Sequence, residues 1–317
     1  MARRKFYLPA PLIAAAVLVA CAVASLVAVS GEKAGAAFPG KNGKIAFQGS
    51  DEVIYVVDPL NPTGGGKTEV TKGEQPSYSS DGTKLTFAAS DGNDAEIYTV
   101  NLATGGKPFQ LTHNRVQDLA PSYSPVGKRI AYTCSDGHDA EICTISATGG
   151  KPFRLTRNAR VDFGPSWSPG GNRIAYSGVS QTDWEVYTIE AHGGGRFNVT
   201  NNVTDDYYPD YSPNGKKIAY AAKGTKDTDI EIRTISATGG KPFQLTHNRV
   251  DDLAPSYSPD GKRIAYTHFS GPDLRDTAAA IYKIAASGGK GVLVTANGGK
   301  GALYPSWGAV RSGPRRK

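Results

Sequence analysis

Four aspartates recur at nearly even spacing along the 317-residue chain: Asp118, Asp162, Asp206 and Asp252, separated by 44, 44 and 46 residues. Each stands three residues before a proline. Carboxylates gathered round a common axis would suit a polar ligand or a hard cation such as Ca²⁺, which takes several carboxylate or carbonyl oxygens. The competing role is local. An aspartate ahead of a turn accepts N–H bonds from its own loop, and a residue repeated once per unit is more often a folding device than a ligand. His113 and His247 add donor chemistry nearby, each within Leu-Thr-His-Asn-Arg-Val. They belong to two copies, 103–133 and 237–267, that differ only at Gln117/Asp251 and Val126/Asp260. Side chains on opposite rims of a ring cannot share one metal, so duplication accounts for the identity, and it would give a repetitive partner two equivalent docking positions.

Nothing else in the chain has the spacing of a catalytic centre. The five histidines are His113, His138, His192, His247 and His268; two are repeat copies and the others fall in turns or at a strand end. There is no Gly-x-Ser-x-Gly elbow, no nucleophile–base pair and no Cys-x-x-Cys. The Thr-Gly-Gly-Lys copies join two strands and precede no helix, so they lack the geometry that cradles phosphate. No catalytic residue, resident metal or cofactor is assigned, with Ca²⁺ at the aspartates the one alternative.

The elements that position these residues follow from a recurring phrase. Pro76-Ser77-Tyr78-Ser79 returns as Pro121-Ser122-Tyr123-Ser124, Pro165-Ser166-Trp167-Ser168, Pro209-Asp210-Tyr211-Ser212, Pro255-Ser256-Tyr257-Ser258 and Pro305-Ser306-Trp307. A period near 45 residues with strand-like text in each unit indicates propeller blades. In one copy the strands are expected at 121–124, 129–134, 141–146 and 153–156, with Asp-Gly and Gly-Gly turns between them. The third residue of the phrase, Tyr or Trp, is expected to pack between blades. The chain enters at Asn42–Phe47, which matches a second strand, and leaves at Tyr304–Gly308, which matches the missing first one. The expected fold is therefore all-β: a six-bladed β-propeller of four-stranded antiparallel blades over residues 38–308, closed by a C-terminal strand that completes the N-terminal blade. Residues 309–317 read as a disordered basic tail.

The net charge of +7 sits at the ends: Arg3, Arg4, Lys5, Arg311, Arg315, Arg316 and Lys317 account for all of it. A groove that tracks phosphates should belong to the folded body, so nucleic acid is not an expected partner. Within the ring, Lys and Arg fall in the first-to-second and third-to-fourth turns and Asp in the other loops, which predicts a disc with one basic and one acidic face. Residues 1–37 have the layout of an export signal or N-terminal membrane anchor: a basic start, an apolar run from Leu8 to Ser30, and Ala34-Gly35-Ala36 as a cleavage site. Cleavage there ranks ahead of a retained anchor, and that ahead of lipidation at Cys21 in Leu18-Val19-Ala20-Cys21. Cys134 and Cys143, on two arms of one hairpin, either form a disulfide in an oxidising compartment or pack as small thiols.

The units resemble the TolB-type, PD40-like propeller repeat, on the strength of "PSYSPDGKRIAYT" at 255–267 followed by segments like "EIYT" and "GGKPFQLT". The likeness extends over all six blades. It implies an exported, non-catalytic, monomeric propeller, periplasmic, envelope-bound or extracellular, that binds an envelope or extracellular protein and meets membrane only through its N-terminal segment. The namesake's α/β domain is not found ahead of these blades. The same repeat also occurs in prolyl-oligopeptidase-like peptidases. The alternative reading is a propeller that acts on, or binds, carbohydrate or lactone ligands in its central channel.

Overall fold

A computed structural model describes residues 38–60, 66–135, 137–181, 183–224, 229–270, 279–295 and 301–310. The expected export segment with Cys21 and the tail beyond Val310 lie outside the described residues. Every element among the described residues is a strand, arranged as six four-stranded antiparallel sheets. Blade 1 is Asn42–Gln48, Val53–Val57 and Thr68–Lys72, with Leu303–Ala309 paired to Asn42–Gln48 as its inner strand. The inner strands of blades 2 to 6 are Glu74–Tyr78, Asp118–Tyr123, Asp162–Trp167, Asp206–Tyr211 and Asp252–Tyr257. Successive inner strands touch, and the last touches the strand of blade 1, so the ring closes as expected and no sheet is left with a bare inner edge.

The second strands show what holds the blades together. Ile130, Ala131, Tyr132 and Thr133 are all buried in succession. Both faces of a blade are covered by its neighbours, so the strand is buried on both sides. Each fully buried isoleucine contributes about 1.5–3 kcal/mol. Ala131, Ala175, Ala219 and Ala265 recur at one position, each fully buried.

The phrase itself is an inter-blade seam. Tyr78 N–H donates to Ser306 Oγ at 3.1 Å, Trp307 N–H to Ser256 Oγ at 3.1 Å, and Tyr211 N–H to Ser166 Oγ at 3.3 Å. Where blade 5 substitutes Asp210, its carboxylate accepts from Tyr257 N–H at 2.8 Å and from the Ser166 hydroxyl at 3.2 Å. The residue before each proline breaks the ladder with a bulge and a positive φ: Gln75, Ala120, Gly164, Tyr208, Ala254 and Tyr304 lie between 51° and 63°. The inner strands therefore start earlier than expected in blades 3 to 6, at the aspartate rather than at the proline.

Candidate functional site

Hydrogen bonds fix which loops share a face. In blade 3 Ala147 N–H donates to Lys128 O, which ties the third-to-fourth turn to the first-to-second turn. Ser135 N–H donates to Gln117 O and ties the other two loops together on the opposite face. The same pairs recur in blade 4 (Ala191 to Asn172, Val179 to Val161) and blade 5 (Ala237 to Lys216, Lys223 to Asp205).

Asp118, Asp162, Asp206 and Asp252 are 0–1 % exposed, turned into the junctions between blades. Each meets a glutamate from the third strand of the preceding blade: Glu96, Glu141, Glu185 and Glu231, all 0–2 % exposed. An asparagine bridges each pair. Asn114, Asn158, Asn202 and Asn248 donate their backbone N–H to the glutamate at 2.5–2.6 Å and their side-chain amide to the aspartate at 2.6–2.7 Å. A threonine hydroxyl completes the unit by accepting the N–H that follows the glutamate, as Thr156 does from Ile142 at 2.8 Å. At the two remaining junctions the equivalent positions are Val53/Gly73 and Ala280/Ala302, so within this chain the two acids are present together or absent together.

Two acids so close in a dry junction cannot both ionise cheaply. Burial pushes Asp118, Asp162 and Asp206 up to about 7, and the neighbouring glutamate adds to the shift. At the blade 5–6 junction burial raises Glu231 to about 7. Asp118 Oδ1, Asp162 Oδ1, Asp206 Oδ1 and Glu231 Oε2 have no donor among the described groups, which is where a retained proton would sit. The expected acidic face is corrected accordingly. Asp118, Asp162, Asp206 and Asp252 are buried in junctions, while Arg115, Arg157, Arg160 and Arg249 on the same side are exposed.

His113 and His247 are exposed on that face, in the loops leading into blades 3 and 6. Cys134 and Cys143 form a disulfide with Cα atoms 5.8 Å apart. The residue that sequence reasoning passed over is His268. It is the partner of Asp252 across the strands, where blades 3 to 5 have Cys134, Gly178 and Ala222. Its Nδ1 lies 2.7 Å from Asp252 Oδ1 and its ring packs 4.5 Å from that of Tyr282. Only the departure from the small residues of the other blades could have marked it.

The opposite face is rich in cations. Lys84, Lys107, Lys128, Arg129, Lys151, Lys216, Lys217, Lys241, Lys262, Arg263 and Lys290 are exposed there, spread over blades 2, 3, 5 and 6. Two clefts open between blades on this side. One of about 480 Å³ between blades 1 and 2 is lined by Lys44, Val56, Val70, Tyr78 and Leu102 among others. One of about 600 Å³ between blades 3 and 4 is lined by Val126, Lys128, Arg129, Trp167 and Arg173, with Glu190 and His192 at its edge. Cations around an apolar cleft suit a partner that offers carboxylates beside an apolar anchor.

A family model described as PD40, the TolB beta propeller domain, matches residues 72–238 and 141–310. No curated protein matches the chain. Among solved structures, TolB from Acinetobacter baumannii is similar at 20% identity and a TM-score of 0.73, covering 91% of this chain and 71% of that one. The putative TolB from Agrobacterium tumefaciens is 21% identical with a TM-score of 0.64, covering 80% and 88%. A puromycin-hydrolyzing peptidase from Mycobacterium tuberculosis is 14% identical with a TM-score of 0.55, covering 77% of this chain and 42% of that one. At such identities these likenesses establish the fold.

Proposed function

Since the chain belongs to the PD40 family of TolB-type β-propellers, we propose that it is an exported, non-catalytic scaffold that docks an envelope or extracellular protein on its cation-rich face. The observation that carries this reading is the set of exposed Lys and Arg on turns held rigidly by inter-turn hydrogen bonds, with a mainly apolar cleft between blades 3 and 4. A preorganised cationic surface speeds encounter with an acidic partner and fixes its orientation. Export is supported by Arg3-Arg4-Lys5 ahead of the apolar run, and by an internal disulfide suited to an oxidising compartment. The scaffold acts as a monomer, its blades satisfied by one another.

The test is crosslinked capture from native cell envelope and culture fluid with three baits: the wild-type chain, a Lys128→Glu/Lys262→Glu variant, and an Arg115→Gln/Arg249→Gln variant on the other face. A protein recovered with the first and third baits and lost with the second supports the reading. Recovery of no protein, or equal recovery with all three, contradicts it. A second reading rests on His268. A histidine–aspartate pair against Tyr282 in one blade alone is the kind of symmetry break that ligand chemistry needs, and glycan or lactone turnover abolished by His268→Gln would favour it over a pure scaffold.

A further inference from the structure

The hairpin between the second and third strands of blade 2 reads Ser90-Asp91-Gly92-Asn93-Asp94-Ala95-Glu96. One carboxylate oxygen from each of Asp91, Asp94 and Glu96 lies within 4.8 Å of the other two. Asp91 faces solvent, but Asp94 is 9% exposed and Glu96 is fully buried. Both carboxylate oxygens of Asp94 and Oε2 of Glu96 have no hydrogen-bond partner among the described groups. Burial and the two like charges beside it push Asp94 above the usual carboxylate range. Among the described residues, no ion pair reaches any of the three.

Blade 3 supplies an internal comparison. Its hairpin has the same pattern, with Asp139 and Glu141 where blade 2 has Asp94 and Glu96. There the Arg154 guanidinium lies 3.1 Å from Asp139 and 3.2 Å from Glu141. Arg154 is the second residue of the outer strand Phe153–Arg154, and its counterpart in Phe109–Gln110 is neutral. Gln110 donates its amide to Thr112 O at 3.0 Å and also bonds the Asp91 carboxylate, so it supplies no positive charge. The same acids are neutralised by a side chain in one blade and not in the other.

We propose that blade 2 binds a divalent cation of the Ca²⁺ class through Asp91, Asp94 and Glu96, at the place where blade 3 seats Arg154. The donors are all oxygens, two from a short irregular loop and one from the strand that follows it, which favours a hard cation of variable coordination over zinc or copper. Glu96 also meets Asp118 of the next blade through the Asn114 bridge. A cation here would therefore fasten the exposed hairpin to the junction between blades 2 and 3. The site differs from the four repeated junction aspartates, each of which already has an asparagine donor.

The test is isothermal titration of the chelator-treated full chain with CaCl₂, alongside thermal unfolding with and without the ion. The variants are Gln110→Arg, which installs the guanidinium that blade 3 carries naturally, and Asp94→Asn. The expected result is one Ca²⁺ per chain and a melting temperature raised by the ion. Gln110→Arg should keep the wild-type circular dichroism spectrum and weaken Ca²⁺ binding by at least about tenfold. Absence of binding at millimolar Ca²⁺, or an affinity unchanged by both substitutions, would overturn the proposal. Because Gln110→Arg copies a solution the same chain already uses, it stays informative even where Asp94→Asn impairs folding.

Discussion

Replacing Asp162 by Asn should remove the pH dependence of one blade junction. Burial raises the Asp162 carboxyl from an ordinary 3.8 to about 7, with Glu141 adding to the shift. Such a group keeps its proton in the fold while the unfolded chain gives it up, so its contribution is complete below about pH 4 and is lost as pH climbs through about 7. The difference corresponds to about 4 kcal/mol at alkaline pH. Asparagine has the same shape, and its carbonyl oxygen can still accept the Asn158 amide that now lies 2.7 Å from Asp162 Oδ2. It also leaves the Glu141 contacts to Arg154 at 3.2 Å and to the Asn158 N–H at 2.5 Å in place. Allowing about 1 kcal/mol for a weaker hydrogen bond, the variant should be more stable than wild type by about 3 kcal/mol near pH 8. Below about pH 4 it should be less stable, by up to about 1 kcal/mol. Urea unfolding of both proteins at the two pH values measures this directly. Parallel pH profiles for wild type and Asp162→Asn would refute the shared-proton reasoning.

Other consequences of the structure can be checked alongside. Ser306→Ala strands the Tyr78 N–H, now bonded at 3.1 Å, in a buried seam; the loss should be about 1–3 kcal/mol by urea unfolding. Gly73 has φ +144°, and a Cβ there would meet the Phe87 ring at 2.5 Å and Ala88 O at 2.9 Å. Gly73→Ala should therefore cost about 1–3 kcal/mol, read as a lower melting temperature. Reducing the Cys134–Cys143 bridge, whose partners are nine residues apart, should cost about 2–3 kcal/mol. A double Cys→Ser variant should show the same loss and no further response to reductant.

The ring was legible because its signal is redundant. Six occurrences of one phrase, and ends out of phase by one strand, leave a single closed arrangement, and Leu303–Ala309 takes the expected place beside Asn42–Gln48. Strand starts were less legible. A positive φ at Ala120 bends the inner strand without ending it, so the strand continues back to Asp118 where residue types alone suggest a loop. The expected acidic face failed for a related reason. Counting aspartates by loop does not reveal which carboxylates turn inward, and that depends on Glu96, Glu141, Glu185 and Glu231 arriving from another blade. A trace of this was present, since Glu and Asp vanish together at Val53/Gly73 and Ala280/Ala302. His268 and the contrast between Gln110 and Arg154 are single departures from the repeat. Their significance emerges only once distances are known.

The central claim is that the cation-rich face docks a protein, and hydrogen–deuterium exchange on the complex with a captured partner tests it most directly. The account predicts new protection in the turns around Lys128, Lys216 and Lys262 and at the cleft beside Trp167, with no change in the loops that carry His113 and His247. Protection confined to those loops, or to the neighbourhood of His268, would contradict it.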